Sequence, residues 1–464
     1  DEFQDEEPND HPSEDQTLLS PCKTIKEKKI KQSPEVSEKY VTEFLDEMCL
    51  DLVPELIRAT RSQPKQTNHV FNLKDGVYVE VRIFKTESAL GDQIMKSDHW
   101  EGVEIIPLVF EGCPNFRVVE GTQLFGCGQP SHEGLIKALG HLEQVGFEKV
   151  LWVNLREEPV TYMNGTPFAP RDRETLNINL DHLIGIEGMD LEHMEQRMKA
   201  DLIRKAHLNN YNLEYAAQDK QMNNQIKHML LNSKMVFTPK ELFGMVSKEQ
   251  DVLVEYFRIP ITDECAPEEK DFDELVNTLK DTTPTTGIVF NCQMGRGRTT
   301  TGLVCAYLYL YTHRHYRTPH KVFKQAHQEP PSPIATPSST KYNVPDPKTP
   351  NYDNGEFGII LQLLTILPQG AFLKYQVDQA IDACQQVQNL RLAINECRVK
   401  FLQGGPDAQK YFLRGKNYLE RYWWLIVFNA YLHEQAPLAL KKKFSEWMKD
   451  RWGLKRILKK SDLQ

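Results

Sequence analysis

Along the chain the spacing of apolar positions changes character several times, and each change marks a candidate boundary. The first 35 residues are acidic and then lysine-rich with few apolar positions, so segment 1–35 is expected to be disordered. From Val36 to Arg58 the positions Val41, Phe44, Leu45, Met48, Leu52 and Leu56 recur at helical spacing, which predicts an amphipathic helix within a lead-in segment 36–69. Between about Val70 and Tyr316, short apolar runs divided by Gly, Pro and Asn turns alternate with helical stretches. That is the pattern of a mixed α/β domain with a central sheet flanked by helices, bounded here at 70–320. Predicted strands include Tyr78 to Phe84, Val150 to Leu155, Val252 to Ile261 and Gly287 to Cys292. Predicted helices include His132 to Val145, Leu191 to Leu208, Phe272 to Lys280 and Thr299 to Thr312. Segment 321–354 is crowded with Pro, Ser and Thr and reads as a linker or a long surface loop. Residues 355–464 return to helical periodicity with breaks at Pro368 and at Gly404-Gly405-Pro406. The aromatic density of Tyr411 to Leu432 predicts a buried helical C-terminal region packed on the α/β domain.

The 464 residues carry 40% hydrophobic positions, enough for a sizeable core, and a formal net charge of -9. Such a charge gives no general footprint for nucleic acid, so any anionic ligand must be captured by a local basic pocket. Nine cysteines, an odd number with no C-x-x-C pair, argue for reduced thiols and a cytoplasmic location. The opening run DEFQDEEPNDHPSEDQ lacks a basic and an apolar region, and so is not a secretion signal. The most apolar helical stretch, Tyr422 to Tyr431, falls short of the ~20 residues of a membrane span. No transmembrane segment is expected, while peripheral membrane contact stays open.

The chemistry concentrates in Gly287-Ile-Val-Phe-Asn-Cys-Gln-Met-Gly-Arg-Gly-Arg-Thr299, where a β-branched run ends and a helix begins. Cys292 and Arg298 are separated by five residues, and none of the other eight cysteines has an Arg at that spacing. A loop of this length, loosened by Gly295 and Gly297, can curl so that the N–H groups of Gln293, Met294, Gly295, Arg296 and Gly297 surround a tetrahedral phosphate. The forked guanidinium of Arg298 suits two phosphate oxygens at once. The same amide dipoles, helix start and cation favour a Cys292 thiolate placed for in-line attack, with the Thr299 hydroxyl available to the sulfur. A thiophosphate intermediate also needs a proton donor for the leaving alcohol, and a carboxyl group on a neighbouring loop can fill that role. Tyr256-Phe-Arg-Ile-Pro-Ile-Thr-Asp-Glu-Cys-Ala-Pro267 supplies Asp263 as first choice and Glu264 as second. This chemistry needs no metal and no cofactor.

On these residues the chain resembles the cysteine phosphatases of the protein-tyrosine-phosphatase superfamily, and in particular the paladin family, which is similar to the tyrosine-phosphatase-like phytases. Besides NCQMGRGRTT the resemblance rests on KSDHW, PNFRVV, FGCGQPSHEGL, WVNLREEPVTYMNG and YFRIPITDECAP. It continues into the tail through GEFGIILQLL, NLRLAINECR and YFLRGKNYLERYWWLIVFNAYLHE. It implies a protein-tyrosine-phosphatase-like domain, the roles already given to Cys292, Arg298 and Asp263, and membership of a longer protein with tandem units. In phytase-like members, basic residues outside the loop hold the remaining phosphates of an inositol. Here the candidates are Lys96, Arg156, Arg171, Arg173, Arg258 and Lys270, with Arg156 in NLREEP favoured. Arg296, inside the loop itself, resembles the Lys of phosphoinositide phosphatases and favours a multiply charged substrate. Two positions depart from the relatives: Asn291 stands where many tyrosine phosphatases carry His, and Glu264 where phytase-like enzymes often carry His. The expected function is therefore dephosphorylation of an inositol polyphosphate or phosphoinositide. The alternatives are a protein phosphatase for phosphotyrosine or phosphoserine, or a phosphate-binding scaffold without turnover.

Overall fold

Three runs buried almost throughout, Leu124–Cys127, Lys149–Arg156 and Thr286–Asn291, together with Arg258, Ile259 and Ile261 of Leu253–Ile261, need a sheet covered on both faces. The computed structural model builds that sheet. It describes residues 89–459 apart from 99–104, 108, 220, 222, 251 and 318–343, together with Leu463 and three backbone strands at Thr24–Ile25, Thr67–Leu73 and Val77–Ile83. The lead-in helix from Val36 to Arg58, most of the linker 321–354 and segment 1–35 apart from the strand Thr24–Ile25 lie outside the described residues; that strand departs from the disorder expected of the segment.

The chain divides into two units, residues 1–91 with 196–210, and residues 92–195 with 211–464. In the first, the three strands form an antiparallel sheet with Val77–Ile83 in the middle. All the candidate chemistry lies in the second. Its five-stranded sheet runs in the order Leu253–Ile261, Lys149–Arg156, Thr286–Asn291, Leu124–Cys127, Arg117–Val118, parallel throughout except for the last pair. Alternation along the central strands splits their side chains between two cores. Val150, Trp152 and Val289 pack with the helices His132–Gln144 and Pro239–Glu249; Leu151, Val153, Leu155, Ile288 and Phe290 pack with Glu269–Leu279 and Gly297–Arg317.

A second, six-stranded sheet is largely antiparallel and was not foreseen: Asn224–Leu230, Asn212–Gln218, Ile94–Ser97, Thr166–Arg171, Thr161–Met163, Val236–Phe237. The tail folds into the helices Gly358–Ile366, Gly370–Ala383, Leu390–Gln403, Ala408–Gln435, Phe444–Lys449 and Trp452–Leu458, with a break after Ala383 that the sequence did not announce. Tyr422, Trp423, Phe428 and Trp447 of this tail are buried in the same core as Leu151 and Phe290 of the sheet. Among the described residues no helix is long and apolar enough to cross a membrane.

Candidate active site

Because Lys149–Arg156, Leu253–Ile261 and Thr286–Asn291 are parallel neighbours, their carboxyl ends meet at one edge, where open α/β sheets place their ligands. Three loops leave that edge: Glu157-Glu158, Thr262 to Cys265, and Cys292 to Arg298.

In the last of these, three successive carbonyls are drawn to one side. Gln293 accepts from the Gln129 amide at 2.9 Å, Met294 from Asn115 Nδ2 at 2.8 Å, and Gly295 from Arg117 Nη1 at 2.8 Å. Arg117 also donates to Thr300 Oγ1 at 3.1 Å, tying the loop to the start of its helix. In a trans peptide the next N–H points opposite to each carbonyl, so the amides of Met294, Gly295 and Arg296 turn to the other side. Gly295 is indispensable to this curl: its φ is +74°, and a Cβ there would sit 2.5 Å from the Cys127 carbonyl carbon. The helix Gly297–Arg317 begins within the loop and adds its positive end. Cys292 lies buried at the base, with Thr299 Oγ1 3.1 Å from its Sγ and 3.3 Å from the Cys127 carbonyl.

Arg298 is held by Glu158. Its Nη1 reaches Oε1 at 3.0 Å and the Ile261 carbonyl at 3.2 Å, and its Nη2 reaches Oε2 at 3.3 Å. Burial opposes the charge of Arg298, but Asp263, Glu158 and a Cys292 thiolate outweigh it and raise its pKa. Burial likewise opposes the charge of Glu158, yet Arg298, Arg156 and Arg171 hold its carboxyl well below the usual range. Glu158 also accepts from Arg156 Nε at 3.0 Å and from Asn179 Nδ2 at 2.9 Å. Arg156 in turn forms a bidentate pair with Asp98, which accepts from Gln293 Nε2 at 2.9 Å. A chain of alternating charge therefore runs from the loop's Arg298 through Glu158, Arg156 and Asp98 back to the loop's Gln293. Asp98, Arg117 and Glu158 were not singled out in the sequence, although each lies in a motif that carries the resemblance.

Asp263 faces the same guanidinium. Its Oδ1 lies 3.3 Å from Arg298 Nε, off the line of a hydrogen bond, and its carboxyl is half exposed. It borders a cavity of about 330 Å³ lined by Glu157, Glu158, Arg171 and Glu264 and by the apolar side chains of Ile178, Leu180, Leu183 and Ile184.

The other candidates divide into three pairs, with Arg296 apart. Lys96 and Arg171 stand on adjacent strands near Asp98. Lys96 Nζ donates to Asn177 Oδ1 at 2.7 Å and to the Leu176 carbonyl at 3.1 Å, and burial together with the charge of Arg171 lowers its pKa to about 8. Arg156 and Arg258, expected to face substrate, are instead committed to the scaffold. Arg156 is fully buried on its two carboxylates, and Arg258 spends its donors on the Arg156 and Glu158 carbonyls, Tyr256 Oη and Glu195. Arg173 and Lys270 are exposed in separate ion pairs, with Glu214 at 2.9 Å and Glu268 at 3.5 Å, and are not brought to the loop's network. Arg296 is half-buried within the loop.

Behind Cys292, Asn291 is wholly buried. Its Oδ1 accepts from Trp152 Nε1 at 2.9 Å and its Nδ2 donates to Gln129 Oε1 at 3.2 Å and Asn154 Oδ1 at 3.3 Å. Gln129 and Asn154 continue to the hydroxyls of Tyr162 and Tyr256 at 2.8 and 3.2 Å. An amide fits a floor that requires both a donor and an acceptor.

Residues 153–310 match the family described as protein-tyrosine-phosphatase-like phytase, inositol hexakisphosphate. The chain is 32% identical over 347 residues to paladin of Xenopus tropicalis, covering 72% of this chain and 36% of that protein. To paladin of Homo sapiens it is 31% identical over 348 residues, covering 72% and 35%. It thus spans little more than a third of the length of these relatives. Among solved structures, the tandemly repeated protein tyrosine phosphatase like phytase from Mitsuokella multacida aligns at a TM-score of 0.47 and 16% identity, over 80% of this chain and 49% of that one. The chain is a homologue of the paladins over 72% of its length, and its residues 153–310 carry the match to the protein-tyrosine-phosphatase-like phytase family.

Proposed function

We propose that this chain is a cysteine-dependent phosphomonoesterase that acts on inositol phosphates. The observation that carries the reading is the loop itself, whose amides face away from three anchored carbonyls above a buried sulfur, beside a guanidinium fixed by Glu158. A phosphate oxygen takes the donor on Arg298 Nε that now faces Asp263 Oδ1. The Cys292 thiolate attacks phosphorus, the bond to the ester oxygen breaks, and protonated Asp263 gives its proton to the departing alkoxide. Water then attacks the phospho-cysteine, Asp263 takes a proton from it, and inorganic phosphate leaves with regeneration of the thiolate. Thr299 donates to the sulfur as it leaves phosphorus. Lys96 and Arg171 are the proposed contacts for a further phosphate.

The test is phosphate release from inositol hexakisphosphate by the full chain. Turnover that Cys292→Ser abolishes supports the reading, while binding without Cys292-dependent release sinks it in favour of a scaffold. A second reading is favoured by the cavity beside Asp263, where carboxylates and isoleucines outnumber cations. Such a lining suits a monophosphate on an apolar body, as in phosphotyrosine. Faster cleavage of a phosphotyrosine peptide than of any inositol phosphate would establish that reading instead.

A further inference from the structure

Arg414, Asn417 and Arg421 stand three and then four residues apart on the helix Ala408–Gln435, which sets them on one face. That face meets the turn bearing Asp263. The turn closes through the Cys265 amide, which donates to the Thr262 carbonyl at 3.1 Å. Arg421 Nε and Nη2 both donate to the carbonyl of Cys265, at 3.1 and 2.8 Å. Asn417 Nδ2 reaches Cys265 Sγ at 3.7 Å, and Arg414 Nη2 pairs with Glu264 Oε1 at 2.7 Å. Arg421 is buried, and its remaining nitrogen faces the phosphate loop, where a Cβ on Gly297 would come within 3.0 Å of Nη1. One guanidinium from the tail thus touches both the donor turn and the space that only a glycine leaves free at the head of the loop's helix.

The turn needs holding. Glu264 has a φ of +58°, in the left-handed region that a side chain other than glycine occupies only where its surroundings fix it. The three tail side chains grip the two residues that follow Asp263, one of them this strained position.

We propose that Arg421 is a positioning residue for the proton donor: the helical tail locks the turn Thr262 to Cys265 over the phosphate loop, so that Asp263 is aligned without a closing motion. This inference rests on the phosphatase reading for its kinetic consequence, but its structural content is separable. The full chain carrying Arg421→Met, Arg421→Lys or Arg414→Ala is compared with the parent in two measurements. The first is amide hydrogen exchange. Arg421→Met is expected to raise exchange across 262–268 by about tenfold or more while leaving 286–291 unchanged. The second is turnover of two esters, inositol hexakisphosphate, whose alkoxide needs a proton, and 4-nitrophenyl phosphate, whose phenolate does not.

Arg421→Met is expected to lower kcat on the first by roughly a hundredfold, with KM little changed and the second ester little affected, and to add nothing further to Asp263→Asn. Arg421→Lys and Arg414→Ala should give smaller changes of the same pattern, and they carry the test if Arg421→Met does not fold. Unchanged exchange in 262–268, or an equal loss on both esters, would overturn the proposal. A parent chain inactive on both esters refutes the phosphatase reading, and the exchange measurement then decides the clamp alone.

Discussion

Glu158 is the residue on which most of the site's charge converges, since Arg298 and Arg156 both end on its carboxylate. Glu158→Gln leaves two buried guanidiniums short of a counter-charge, and removal of one partner from a buried ion pair costs about 3 kcal/mol or more. A denaturant titration should show the midpoint falling by the corresponding amount with the slope unchanged. Thr299→Ala removes the hydroxyl 3.1 Å from Cys292 Sγ and should lower kcat roughly tenfold, the worth of one hydrogen bond, with KM intact; Thr299→Ser should restore it. The loop was legible because its parts are consecutive in the chain. Glu158 was not, because its partner Arg298 lies 140 positions away, and Arg117 reaches Gly295 across 178. Sequence spacing carries no record of such pairings. It also could not tell a cation that faces solvent from one spent on internal carbonyls, which is why Arg156 and Arg258 looked like ligands.

At the scale of elements, strands that carry long apolar runs and helices with a clear apolar stripe were readable, among them Lys149–Arg156 and His132–Gln144, whereas the helix Pro239–Glu249 with its Thr238–Glu241 capping box was not singled out. The second sheet was not, because Thr161–Met163 and Ile94–Ser97 are too short for a period and Asn224–Leu230 mixes polar and apolar residues on both faces. Gly295→Ala should abolish turnover without unfolding the chain, by pushing the loop away from Cys127. The helix Glu269–Leu279, which follows the donor turn, has a pH dependence of its own. Burial pushes the Asp271 carboxyl up from 3.8 to about 7, although it accepts from the Glu268 amide at 2.7 Å. Between those values the folded chain keeps a proton that the unfolded chain has lost, so this group makes stability fall as pH rises through the window. Asp271→Asn keeps an acceptor for the amide and removes the titration. Its unfolding free energy should be flatter from pH 4 to 7, and at pH 8 higher than that of the parent.

Within the second unit the tail and the five-stranded sheet share a single core, in which Trp423 and Phe428 pack alongside Leu151, Phe290 and Leu303. A chain ending at residue 343 would expose that surface, so it is expected to aggregate; elution as a soluble monomer with native-like circular dichroism would refute the prediction. The helical tail is thus a structural partner of the sheet and no appendage; its aromatic density announced burial against the α/β domain, but not which residues meet, since nothing local links Arg421 to Cys265 across 156 positions. One consequence reaches beyond stability. The floor under Cys292 is made of Asn291, Gln129, Asn154 and Trp152, none of which changes its charge near neutrality, and its two phenols, Tyr162 and Tyr256, are pushed upward by burial, the latter to about 12. Acidification of the surroundings would therefore leave the ground beneath the nucleophile electrically unaltered. Any response to a drop in pH would have to enter from elsewhere in the unit, as through Lys96, lowered to about 8 by burial and Arg171, or Asp271, raised to about 7 by burial.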